Sequence, residues 1–239
     1  MSLFRSLLFC AVVVGLIVGG VVTVFQRFGT VPLILQGEVY EEAAREAVPH
    51  EHAAPVAAAP DAGHRHPVAA WEPANGLERD SYTALANILT ATGFALVLAA
   101  VFALRGRDVG WREGLFWGLG GFAVFTLAPG LGLPPELPGV PAAALASRQI
   151  WWLATACATG AGLALLVFRR APWAAVLGVA LIAMPHVAGA PHLAGMHSNI
   201  PEALARQFVA AVTVTSLVFW ALLGSLTATA LGRWFPVRL

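Results

Sequence analysis

LFRSLLFCAVVVGLIVGGVVTVF, residues 3–25, decides the solvent in which this chain folds. A helix needs about 20 apolar residues to cross roughly 30 Å of hydrocarbon at about 1.5 Å per residue. This run supplies them, with Arg5 as its only charge. Arg5 before a long apolar run imitates a signal peptide, but the run exceeds the usual apolar core of about 7–15 residues. Phe25-Gln26-Arg27-Phe28 also offers no small-residue cleavage site. The segment reads as an uncleaved first span.

Five further segments have the same character: Tyr82–Leu104, Leu115–Leu131, Ile150–Phe168, Trp173–Val187 and Phe208–Leu231. They predict an all-α polytopic membrane bundle of about six transmembrane helices. Of the 239 residues 58% are hydrophobic and 11% charged, where soluble domains carry about 25% charge. The chain reads as one membrane domain, residues 1–239, holding a flexible His- and acid-rich extracytoplasmic loop at 37–80. A net charge of +1 gives no field for nucleic acid, so the expected surroundings are a lipid bilayer. Cys10 and Cys157 lie inside apolar runs and read as small apolar residues, not as a disulfide framework.

The third and fifth segments carry Pro129 with Gly130 and Pro185 with Gly189 at their far ends. Those ends are expected to be broken or re-entrant, which membranes tolerate where backbone lines a cavity. Gly15 with Gly19, and Gly114 with Gly118, give small faces for close helix packing.

Arginine placement sets the orientation. Arg5, then Arg105, Arg107 and Arg112, then Arg169 and Arg170, then Arg233 and Arg238 fall on one side, and the two short opposite loops are free of basic residues. By the positive-inside bias both termini are cytoplasmic. All seven histidines then lie outside.

His50, His52, His64 and His66 sit in the long first loop, where residues 48–70 are rich in Ala, Pro and His and have no periodicity. Paired imidazoles near Glu38, Glu41, Glu42 and Glu46 suit divalent first-row ions, and spacing of two lets both rings reach one ion. The alternative is a solvated linker. Gly37–Ala47 has the makings of a short interfacial helix. His186, His192 and His197 follow Pro185, which ends or kinks the fifth helix. An ionisable group near membrane depth is a functional hypothesis by default, so these three are candidate metal ligands along a pathway. Simple anchoring at the interface is the competing reading.

Glu136 precedes Arg148-Gln149, and Glu202 precedes Arg206-Gln207, each a Pro-Glu loop leading to an Arg-Gln at a helix start. An internal duplication and a shared local motif explain this equally well. The arginines either anchor helix ends or pair with the acids and close the outer face. Thr90, Thr92, Thr126, Thr155, Thr159, Thr213, Thr215 and Ser216 lie inside spans, where most hydroxyls bond back to the preceding turn. No mid-membrane Asp or Glu offers a proton relay. No phosphate-binding loop, zinc-protease motif, nucleophile elbow or haem attachment occurs. Catalytic residues and a resident cofactor are therefore not expected.

Val31-Pro32-Leu33-Ile34, Glu38-Val39-Tyr40-Glu41 and Ala70-Trp71-Glu72-Pro73-Ala74-Asn75-Gly76-Leu77-Glu78-Arg79 resemble CbtA, a family of predicted cobalt transporter subunits. The likeness continues through Leu127–Gly139, Arg148-Gln149-Ile150-Trp151-Trp152, Pro185-His186, Gly189-Ala190-Pro191 and Pro201–Gln207. It covers nearly the whole chain. The resemblance implies a bacterial inner-membrane component of cobalt uptake for cobalamin synthesis, joined by a second subunit that is small, single-helix and histidine-bearing. The ion would be a transient divalent passenger, Co2+ first. The family is described with five helices, where hydropathy here counts six. A homo-oligomer, a non-transporting metal-binding scaffold or sensor, and a membrane redox subunit stay open. The last would need paired axial histidines at membrane depth, and His186 alone comes near it.

Overall fold

The structure is a computed structural model that describes residues 3–46, 71, 73–106, 108–193 and 198–234, with the Arg45 side chain outside that set. Lipid offers no partner for a free backbone N–H or C=O, so each apolar run must close its hydrogen bonds within itself. Among the described residues the regular structure is helix alone. It comprises α1 (Leu3–Phe28), α2 (Val31–Glu46), α3 (Leu77–Leu104), α4 (Trp111–Phe122), a π-helical turn (Ala123–Leu127), α5 (Ala128–Gly132), α6 (Leu145–Phe168), α7 (Pro172–Ala188) and α8 (Glu202–Arg233).

The π turn joins α4 to α5, making Trp111–Gly132 one span of 22 residues. That span, α1, α3, α6 and α8 are long and apolar enough to cross a bilayer. The 17 residues of α7 rise only about 26 Å. Its path is still that of a span. It begins beside the end of α6, and at its far end Pro185 O accepts a hydrogen bond from Trp151 Nε1, near the start of α6, at 3.2 Å. The chain is a polytopic helical bundle, with five full spans and one short one among the described residues.

Neither short span breaks in the way its prolines led one to expect. Pro129 lies inside the continuous third span just past the π turn, and the helix runs through it to Gly132. Pro185 lies inside α7, which runs on to Ala188 and ends at Gly189, with φ of 84°. The irregularity falls instead within the third span, at the π turn. Of the expected loop at 37–80, residues 37–46 are helical and continue from Val31, and residues 77–80 open α3. An elbow at Gly29 and Thr30 turns α1 into α2, with Gly29 N–H donating to Phe25 O at 2.8 Å.

Glycine sets the packing. α1 and α3 run antiparallel so closely that a Cβ at Gly19 would lie 2.6 Å from Ile88 Cα, and one at Gly15 would meet Thr92. α4 meets α8 the same way, Gly114 and Gly118 facing Gly224 and the Trp220 carbonyl. A third pair, Gly162 and Gly178, lets α6 meet α7. Cys10, Val14, Val18, Leu98, Phe102, Trp220 and Leu223 fill the main core. A smaller cluster of Leu137, Ile200, Leu204 and Phe208 packs under α2. The bundle thus has a basic end, carrying Arg5, Arg105, Arg112, Arg169, Arg170 and Arg233, and an acidic end beneath α2.

Candidate functional site

Thr23 and Gln26 on α1 and Thr30 in the elbow after it recur at helical spacing, and on α3 Thr83, Asn87 and Thr90 do the same. Residues so spaced share one face, and the antiparallel contact turns these two faces together. Asn87 Nδ2 donates to Thr23 Oγ1 at 3.0 Å and to Gln26 Oε1 at 2.7 Å. α8 adds Thr215, which is buried, and Ser216.

These polar faces surround two cavities. A vestibule of about 420 Å³ at the acidic end is lined by Gln26, Thr30, Arg79, Thr83, Thr215 and Ser216, with apolar Val31, Ile34, Phe208 and Val212. An inner chamber of about 270 Å³, less enclosed than the vestibule, is lined by Gln26, Asn87, Thr90, Thr126, Thr215 and Ser216 and backed by aromatic rings. The two share Gln26, Thr215 and Ser216 in their walls and are therefore adjacent. From Glu202 to Thr215 α8 rises about 20 Å, and from Leu77 to Asn87 α3 rises about 15 Å, which places the chamber well inside the membrane.

Ion pairs border the vestibule. Arg79 Nη2 meets Glu38 Oε1 at 2.6 Å, both side chains about a quarter exposed, and Arg27 Nε meets Asp80 Oδ2 at 3.2 Å. Arg79 Nη1 is buried with no hydrogen-bond partner among the described residues. The Glu38 carboxylate is thus the described partner of a guanidinium that lines the cavity.

The two histidines among the described residues, His186 and His192, do not line this site. His186 is half-buried, its ring edge-on to Trp151 with centroids 5.9 Å apart, and His192 is exposed beyond α7. Neither lines a described cavity. His50, His52, His64, His66 and His197 lie outside the described residues. Among the described residues no three His, Cys, Asp or Glu side chains come together as a metal cage.

Both arginines at the helix mouths are paired with the predicted acids, but differently. Arg206 Nη1 meets Glu202 Oε1 at 2.6 Å within one turn of α8, the side chains 68% and 81% exposed. Arg148 Nη2 reaches Glu136 Oε2 at 2.7 Å across the loop before α6, each 28% exposed. The likeness between the two Pro-Glu hairpins does not extend to this geometry. Gln149 and Gln207 are exposed. The Glu136–Arg148 pair lines a groove of about 520 Å³ that shares Ile34 and Phe208 with the vestibule wall. Exposed pairs contribute about 0–1 kcal/mol. Arg206→Ala should leave the detergent melting curve within about 0.5 kcal/mol of wild type, and Arg148→Ala should shift it further.

A family model described as probable cobalt transporter subunit (CbtA) matches residues 4–232. The chain belongs to the CbtA family. No curated protein and no solved structure matches it. Membership makes it one subunit of a probable cobalt transporter, in agreement with its multi-pass helices, and implies a partner component.

Gln26, Thr30, Arg79, Thr83 and Asn87 were not singled out from sequence. The available signal was their spacing: two amides and their hydroxyl neighbours, at i, i+3 or i+4, and i+7, in otherwise apolar helices.

Proposed function

We propose that this chain is the membrane subunit through which a divalent metal ion, cobalt first, passes toward the cytoplasm. The observation that carries this reading is the pair of adjacent polar cavities that follow one another from the acidic end into the bundle. The basic end faces the cytoplasm by the positive-inside bias. The acidic end and its histidines, His50, His52, His64, His66, His186, His192 and His197, then face outward and gather the ion. Imidazole and carboxylate are the ligands that cobalt, nickel and zinc accept. Glu38 and Asp80 offset the charges of Arg79 and Arg27 beside the vestibule, so that an entering cation is not repelled there. The inside-negative potential supplies about 2.3 kcal/mol per charge per 100 mV, twice over for a divalent ion. The partner is a small, single-helix, histidine-bearing protein, and the setting is a bacterial cytoplasmic membrane.

Radiolabelled cobalt uptake tests this in cells lacking other importers, with the chain and its partner expressed together. Glu38→Gln leaves Arg79 uncompensated beside the vestibule and should lower uptake about tenfold, the effect of losing about 1.4 kcal/mol of attraction. His186→Ala and His192→Ala should lower apparent affinity with less change in maximal rate. Uptake no greater than in cells without the chain would refute the reading.

A further inference from the structure

The inner chamber holds no ionisable group among its described lining residues. A bare divalent ion stripped of water there would find no compensating charge, and burying it would cost far more than neutral ligands return. An ion that keeps its waters makes a different demand. Its polarised waters are strong donors, so the wall must supply acceptors.

The hydrogen bonding turns the amides to do so. Thr23 Oγ1 donates to Gly19 O at 2.7 Å and accepts from Asn87 Nδ2. Asn87 spends its remaining Nδ2 proton on Gln26 Oε1. With both protons committed, Asn87 has Oδ1 left as an acceptor, and Gln26 Oε1 keeps a second lone pair. Thr126, Thr215 and Ser216 add hydroxyls. Thr126 comes from the π turn, and such turns recur at functional sites. The other wall is aromatic. Phe125 stacks on Trp220 at 5.5 Å with their planes 8° apart, and Phe94 meets Trp220 at 4.8 Å. Ring faces carry negative charge that attracts cations. A volume of about 270 Å³ accommodates an ion with about six waters at about 30 Å³ each.

We infer that the inner chamber is a binding site for a still-hydrated divalent cation, held through its waters by Gln26, Asn87, Thr126, Thr215 and Ser216. It rests on the transport reading for its ligand, and neither His186 nor His192 lines the site. A site that reads the hydration shell distinguishes charge and size of the hydrated ion and is indifferent to ligand softness.

The test uses Ser216→Cys with Cys157→Ser in the full chain, Cys10 being fully buried. A cationic, membrane-impermeant thiol reagent added from the acidic side should modify Cys at position 216. Co2+ at about ten times its Kd should slow that modification about tenfold. Hexaamminecobalt(III), which mimics a hydrated ion and cannot give up its ligands to a thiol, should protect as well. Asn87→Leu should abolish both effects. Protection by Co2+ alone, protection that survives Asn87→Leu, or no protection would each overturn the site. In parallel, vesicles with wild-type chain and partner report cobalt flux. Flux without protection removes the chamber site and leaves the transport reading, whereas protection without flux does the reverse.

Discussion

Gly224→Leu is expected to stop α8 docking on α4 and to abolish the folded bundle in detergent. A Cβ at Gly224 would sit 2.7 Å from Gly118 N and 2.8 Å from Gly118 Cα, and would also strike the Gly114 carbonyl. All three are backbone, which cannot swing aside as a side chain can. Overpacking a close-packed contact costs about 1–3 kcal/mol and occasionally more. A full leucine between two helix backbones belongs at or beyond the upper end. The control is Gly20→Leu, where nothing lies within 4 Å of an added Cβ and the new side chain faces outward. Size-exclusion profile and thermal melting should separate the two variants clearly. Equal melting would mean that α4 and α8 do not meet as described.

Asn87→Leu should eliminate most cobalt uptake while sparing the fold. Asn87 makes two interhelical hydrogen bonds, and such bonds within membrane proteins average about 0.6 kcal/mol each. Against the glycine-mediated contact of α1 with α3, that loss is small, and leucine restores apolar volume. The chamber loses much more. Asn87 Oδ1 disappears, and Gln26 loses the donor that fixes its orientation. A hydrophobic side chain then projects where hydrated cations must be accepted. Uptake at least about tenfold lower, equal to about 1.4 kcal/mol or more at the rate-limiting step, with near-normal membrane level, is the expected result. Normal uptake would detach the chamber from transport.

Which parts of this architecture were legible in advance follows from the range of the forces involved. A span is local, since about 20 consecutive apolar residues declare it, and the six runs reappear in the bundle. Gly15, Gly19, Gly114 and Gly118 were legible for the same reason, as small residues one turn apart. Their partners Thr92, Ile88, Trp220 and Gly224 were not, because helix pairing is a long-range choice. Pro129 and Pro185 read as breaks because proline forbids a hydrogen bond. The packed helices decided otherwise, the third span running on through Pro129 just past its π turn and α7 through Pro185. The span hydroxyls were expected mostly to bond back to their own helices. Thr155 and Thr213 do, donating to Trp151 O and Val209 O, while Thr126, Thr215 and Ser216 line the chamber. The histidines drew attention as metal ligands, yet His186 and His192 stand outside the described cavities, which are lined by amides and hydroxyls. Polar stripes on three separate helices become a site only when packing brings them together.

The most direct measurement of the central claim is cobalt flux into vesicles holding the purified chain with its partner, with a cobalt-quenched dye inside. An imposed inside-negative potential should accelerate quenching, because each divalent ion gains about 4.6 kcal/mol per 100 mV. Asn87→Leu should return the rate nearly to that of empty vesicles. A wild-type rate equal to that of empty vesicles, at any potential, would contradict the account.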